Sequence, residues 1–186
     1  MKTTNAFKML LGLTGISLAL ASCDPANPNN PNDQEVITSL KITATGLTDT
    51  TEFAYSDPDG NGGAAPTIDT AFLSPSSSYH IQLELLDETK NPVDTITYEI
   101  AGESDVHQFF FSFTGVNLTS IYDDVDVNGK PVGLSNVWTT AANSVGSVMV
   151  TLRHQPDKNG VGVSSGDITN AGGETDIEVT FPVVIQ

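Results

Sequence analysis

The 186-residue chain contains a single cysteine, Cys23. An internal disulfide is therefore excluded, and any folded domain must rest on its own apolar core. Basic residues are scarce too: 7 Lys and Arg stand against 23 Asp and Glu, for a formal net charge of −16. This argues against a nucleic-acid partner, which needs Lys and Arg to displace counterions from phosphates, and no nucleic acid is expected. Anionic membrane surfaces are disfavoured for the same reason. No apolar run reaches the roughly 20 residues that a transmembrane helix needs. No segment carries a sustained helical stripe with caps. The chain has no Gly-x-Ser-x-Gly elbow, no phosphate-binding glycine loop with its lysine, and no cysteine other than Cys23. The carboxylate pairs Asp87-Glu88 and Asp123-Asp124 fall in turn-like stretches, where such pairs are solvated rather than set across a cleft. No enzymatic activity is expected.

What is present is β-branched and punctuated. The chain holds 22 Thr and 16 Val, with 16 Gly and 10 Pro, the composition of strands and turns. Residues Leu40, Ile42 and Ala44 alternate with polar neighbours. The same period of two runs through Tyr79, Ile81, Leu83 and Leu85; Ile96, Tyr98 and Ile100; Val148, Val150 and Leu152; and Ile177, Val179, Phe181, Val183 and Ile185. Each is the pattern of a half-buried strand. Weaker strand signals lie near Phe53–Tyr55, Ile68–Leu73, Leu118–Tyr122 and Val137–Thr140. Pro182 places the last strand at an edge or at a bulge. Phe109, Phe110, Phe111 and Phe113 put aromatics on both faces of one segment, which suits a central strand covered on both sides. The expectation is an all-β chain: an antiparallel, immunoglobulin-like β-sandwich of about eight to ten strands.

The first residues read as an address. Lys2 and Lys8 precede an apolar run, Met9 to Ala21, with the length of a signal-peptide core. It ends in Leu20-Ala21-Ser22-Cys23, which resembles the bacterial lipobox, whose cysteine receives a lipid and becomes the new N-terminus. The organisation expected is a lipoprotein signal peptide over 1–22, a Pro/Asn-rich tether over 23–35 and a single β-sandwich domain over 36–186. Cys23 is the expected lipidation site. Loss of Lys2 and Lys8 makes the mature chain more acidic still.

Several strings also resemble one another's counterparts in small, uncharacterised lipoproteins of Bacteroidota. They are Tyr55-Ser56-Asp57-Pro58-Asp59-Gly60, Leu85-Leu86-Asp87-Glu88-Thr89, Asp105-Val106-His107-Gln108-Phe109-Phe110, Tyr122-Asp123-Asp124, Thr151-Leu152-Arg153-His154-Gln155-Pro156 and Gly172-Gly173-Glu174-Thr175-Asp176-Ile177-Glu178-Val179. Such proteins are labelled in places "type 1 periplasmic binding fold". That fold alternates strands and helices around parallel sheets, whereas the periodicity here is that of strands alone. Their genes often neighbour TonB-dependent receptors. The resemblance therefore implies an outer-membrane lipoprotein of the cell envelope, held by its N-terminal lipid, with a TonB-dependent receptor as partner. In that reading the domain is a non-enzymatic binding or accessory module for uptake. The alternative is a structural or adhesive surface module with calcium-binding acidic loops.

Two constellations are candidates for a metal. Asp124, Asp126 and Asn128 place oxygen ligands at every second position before Gly129, as at the opening of a calcium loop. Ser135 stands where an EF-hand would need its closing Glu, so calcium binding there is expected to be weak. A hairpin turn explains the same residues. A looser version runs from Asp57 to Gly63. The second constellation is Asp105, His107 and His154, a set that suits zinc. Asp105 and His107 share a face if both lie in one strand, with Glu103 close before them. His154 ends a strand whose partner is expected to start near Glu174-Thr175-Asp176. Ordinary hydrogen-bonded or surface histidines are the competing explanation. The sequence ranks the acidic loop first, because its ligands are local. His80 alternates with core positions and is expected to be exposed.

Overall fold

The computed structural model describes residues 35–60 and 62–186. The expected signal peptide, Cys23 and the expected tether up to residue 34 lie outside the described residues, as does Asn61 in the looser acidic loop. Ten strands and one short helix are present among the described residues. The strands are β1 (Ser39–Thr45), β2 (Thr50–Ser56), β3 (Thr67–Ile68), β4 (Ala71–Leu73), β5 (Ser78–Leu86), β6 (His107–Thr114), β7 (Leu118–Tyr122), β8 (Ser135–Thr140), β9 (Ser144–His154) and β10 (Glu174–Ile185). The helix is α1 (Ile96–Gly102).

Six strands form one sheet in the order β3-β2-β1-β5-β8-β7, and four form a second in the order β4-β10-β9-β6. All neighbours are antiparallel except β4 beside the end of β10. The fold is the all-β sandwich that the period-two patterning predicts. Alternating side chains of β1, β5, β9 and β10 fill the space between the sheets, with Leu40, Ile42, Ile81, Leu85, Val150, Leu152 and Phe181 fully buried. Aromatic edges meet there: Phe53 against Phe181 at 5.2 Å, and Phe111 and Phe113 against Trp138 at 5.8 and 5.6 Å. Edge-to-face contacts of this kind add to the area that the rings bury.

Three local expectations are corrected. The segment with Ile96, Tyr98 and Ile100 is helix α1, not a strand. Ile96 and Ile100 are buried while Tyr98 is 79% exposed, which is an i, i+4 stripe rather than one face of a strand. The reason lies in β5, which already has neighbours on both sides. β1 pairs along its length, β8 pairs up to Gln82, and Leu83 donates to the Leu134 carbonyl. Thr97 fills the next place with its side chain, accepting from the Leu85 N–H at 2.7 Å. No ladder is left for a strand to join.

The Phe-rich segment is covered on both faces, but as an edge strand rather than a central one. Phe109 points into the main core, and Phe110 points outward into a small second core with Val163, Ala171 and Ile168. The long connection from 155 to 173 supplies that outer cover. Asp105 lies in a 3-10 turn, Ser104–Val106, ahead of β6, so it does not share a strand face with His107. Pro182 stands one residue before the stretch of β10 that β4 covers, where the outer side of the strand is open.

Candidate metal centre

β6 and β9 pair in a register that sets His107 directly opposite His154. Both continue the inward-facing rows of their strands, beyond Phe109 and Leu152, to one end of the sandwich. Their rings are stacked, with centroids 4.8 Å apart and planes 20° from parallel. β10 adds the third group through a β-bulge. Thr175 pairs with Arg153 and Ile177 pairs with Leu152, which leaves Asp176 as the extra residue between them. In a regular strand Asp176 would point away from the face that holds Ile177 and Val179. A bulge re-aims the side chain of its extra residue, and the Asp176 carboxylate turns to the two rings.

The distances suit an ion better than direct bonds. His107 Nε2 lies 3.6 Å from Asp176 Oδ2, and His154 Nδ1 lies 3.9 Å from Asp176 Oδ1. Both exceed hydrogen-bond length. A tetrahedral ion with bonds of about 2.0–2.1 Å holds its ligand atoms roughly 3.3 Å apart. One ligand atom from each of His107, His154 and Asp176 lies within 4.8 Å of the others. The site is dry: the side chains of His107 and Asp176 are fully buried and that of His154 nearly so. His107 Nε2 and both Asp176 oxygens have no hydrogen bond of good geometry. Buried polar atoms left so are rare in folded proteins, because each costs about 1–3 kcal/mol.

The surrounding groups prepare His107 as a ligand. Its Nδ1–H donates to the Glu103 carbonyl at 3.0 Å, which leaves the Nε2 lone pair facing Asp176. Burial holds His107 down at about 4, with His154 and Lys158 adding to the effect against the Glu103 carbonyl, so the ring is neutral at physiological pH. Asp176 is pushed up to about 6, first by burial, while His154 and the Glu35 backbone N–H pull it down. Glu35 is pushed up to about 7 by burial, then by the charge of Glu99 and a hydrogen bond with it, and by Asp176 and Glu103. Glu35, Glu103 and His107 form a second group whose ligand atoms lie within 4.8 Å of one another. Carboxylates thus crowd the neutral His107 imidazole, an arrangement that a divalent cation would neutralise.

Asp105 is near enough to act electrostatically on His107 and Lys158, but it is not among the clustered ligand atoms. The acidic loop has other work. Asp124 accepts the Gly133 and Ser135 N–H groups at 2.7 and 3.0 Å. Asp126 Oδ1 accepts from Asn128 and Lys130, and Oδ2 accepts from the buried Lys158 ammonium at 2.9 Å. Asn128 is exposed at the turn. Lys158 also donates to the carbonyls of Pro131 and Ser104, so it ties this loop to the turn that leads into His107. Calcium there would have to displace an internal cation. His80 is partly exposed, as expected, beside Ser135 and Asp123.

Sequence reasoning found both histidines and the pairing of β9 with β10, but not the pairing of β6 with β9 that sets the two rings together. It missed Asp176, whose alternation with Ile177 hides the bulge, and Glu35, which ends a Pro/Asn-rich stretch. A cleft of about 660 Å³ beside Tyr122, Asp124, Pro131 and Ser164 lies elsewhere and is lined by none of these ligands. No protein-family model, curated protein or solved structure matches the chain.

Proposed function

We propose that this chain is a cell-envelope lipoprotein whose β-sandwich is a non-enzymatic binding module for a divalent transition metal, zinc above others. One observation carries the reading: His107 Nε2 and both Asp176 oxygens are buried without a hydrogen bond of good geometry and are spaced for an ion with His154. Two imidazoles and one carboxylate form a borderline-soft donor set that favours Zn²⁺ over Ca²⁺ or Mg²⁺, which take oxygen ligands. Burial of the ligands supports binding rather than catalysis, since a catalytic ion needs a position open to substrate. The lipobox-like Leu20-Ala21-Ser22-Cys23 supports a lipid anchor, and the resemblance to Bacteroidota lipoproteins adds a TonB-dependent receptor as the partner in uptake.

Zinc titration of the full chain in detergent, against a chromophoric chelator, tests the metal. One zinc ion per chain is expected to bind at low micromolar concentration or tighter. His107→Ala with His154→Ala should abolish it, while Asp124→Asn with Asp126→Asn should leave it. Zinc binding unchanged by the histidine substitutions would overturn the reading. Labelled palmitate incorporation, lost in Cys23→Ser, tests the anchor separately.

A further inference from the structure

We propose that Glu35 supplies the fourth ligand of the zinc centre, so that the ion ties the chain's entry into the domain to the strand ends bearing His107, His154 and Asp176. The inference rests on the metal reading above and specifies how the site closes. His107, His154 and Asp176 offer three ligand atoms, and zinc in a closed site takes four. Two further carboxylates, Glu35 and Glu103, have an oxygen within 4.8 Å of a ring nitrogen of His107, in a group that shares only His107 with the first.

Their backbones differ. Glu103 caps the end of α1, where its N–H donates to the Glu99 carbonyl at 2.9 Å. Its own carbonyl receives the His107 Nδ1–H. It is fixed as the group that orients His107, the usual place of an outer partner to a ligating imidazole. Glu35 lies in the irregular stretch before β1, ahead of the backbone bond from Thr38 to Leu86. Residues 35–38 belong to no helix or strand, so this stretch is not held by a ladder. It also stands beside Asp176 as well as His107, since its own N–H faces the Asp176 carboxylate.

Electrostatics makes this position conditional. The charged neighbours of Glu35 are Glu99, Glu103 and Asp176, all acidic. Like charges at this range repel, and one divalent cation among them reverses the sign. Docking of the entry segment and occupation of the site are then one linked equilibrium, in which each favours the other.

Hydrogen exchange on the full chain in detergent, with zinc and with a chelator, reads the entry segment, and chelator competition reads affinity. In the unaltered chain zinc should slow exchange of the amides from Glu35 to Ile37. Glu35→Gln is expected to weaken zinc roughly tenfold or more and to remove that protection, while His107 and His154 still hold the ion. Glu103→Gln should keep the protection. A Glu35→Gln chain with unaltered affinity and protection would refute the proposal and leave the three-ligand site standing. Loss of the protection in Glu103→Gln but not in Glu35→Gln would assign the fourth ligand to Glu103 instead. An unaltered chain that binds no zinc would overturn this inference together with the metal reading.

Discussion

Lys158 shows how a single side chain can organise two regions. Its ammonium is buried and donates to Asp126, Pro131 and Ser104, which uses all three of its protons. Burial lowers its pKa, while the Asp126 carboxylate pulls in the opposite direction. Removing one partner of a buried pair leaves the other charge without compensation, which costs more than the pair itself contributes. Lys158→Met should lower the unfolding free energy by about 3 kcal/mol, and adding Asp126→Asn should recover much of the loss. Urea titration of the metal-free chain measures both; a Lys158→Met chain as stable as the original would contradict the assignment. The sequence marked Asp126 through its spacing with Asp124 and Asn128, but spacing carried no sign of its cation. Lys158 lies beyond two strands and a loop, and nothing local links it to the acidic turn.

Among the elements, the connection from 155 to 173 depends on β6. Phe110 points into Val163, Ala171 and Ile168, and the Gln108 side chain donates to the Val163 carbonyl at 2.8 Å. These contacts are separate from the main core. Phe110→Ala should therefore cost about 3 kcal/mol and free this connection first. Limited proteolysis should cut between 155 and 173 before any other described segment; cleavage spread evenly along the chain would show that the connection is held by something else. The period-two patterning revealed most strands, because alternation is a direct print of a half-buried sheet. It could not reveal α1, since Ile96 and Ile100 fit both a four-residue and a two-residue period. Only the filled flanks of β5 decide between them. The bulge at Thr175/Ile177 was equally hidden: Ile177 to Ile185 alternate without a break, and the extra residue precedes them.

For the molecule as a whole, the acid-base balance of the centre sets a pH dependence. Asp176 and Glu35 are raised to about 6 and about 7, from ordinary values of 3.8 and 4.5. In the folded chain both keep protons that the unfolded chain releases, so their contribution to stability falls as pH rises through that interval. His107, lowered to about 4 from 6.5, acts in the opposite direction over its own interval. Two groups oppose one, and of the three Glu35 titrates at the highest pH. Asp126 is lowered, so its effect falls below the ordinary carboxylate range and outside this window. The metal-free chain should thus melt at a higher temperature at pH 5 than at pH 7.5, and zinc should restore stability at pH 7.5. Thermal unfolding in the presence of a chelator checks this. A melting temperature that climbs across the interval, or one equally steep in Asp176→Asn with Glu35→Gln, would show that other groups dominate.

The register of β6, β9 and β10 also has a consequence in time. His107, His154 and Asp176 are far apart along the chain and meet only when three strands have zipped together. Pairings between distant segments are the slow part of folding, and an unfolded chain offers no assembled site. A polypeptide threaded through a membrane in extended form would therefore carry no cargo from the side where it was made. It would take its ion from the compartment in which the sheet closes, and the supply there, as much as ligand chemistry, would decide which ion it holds.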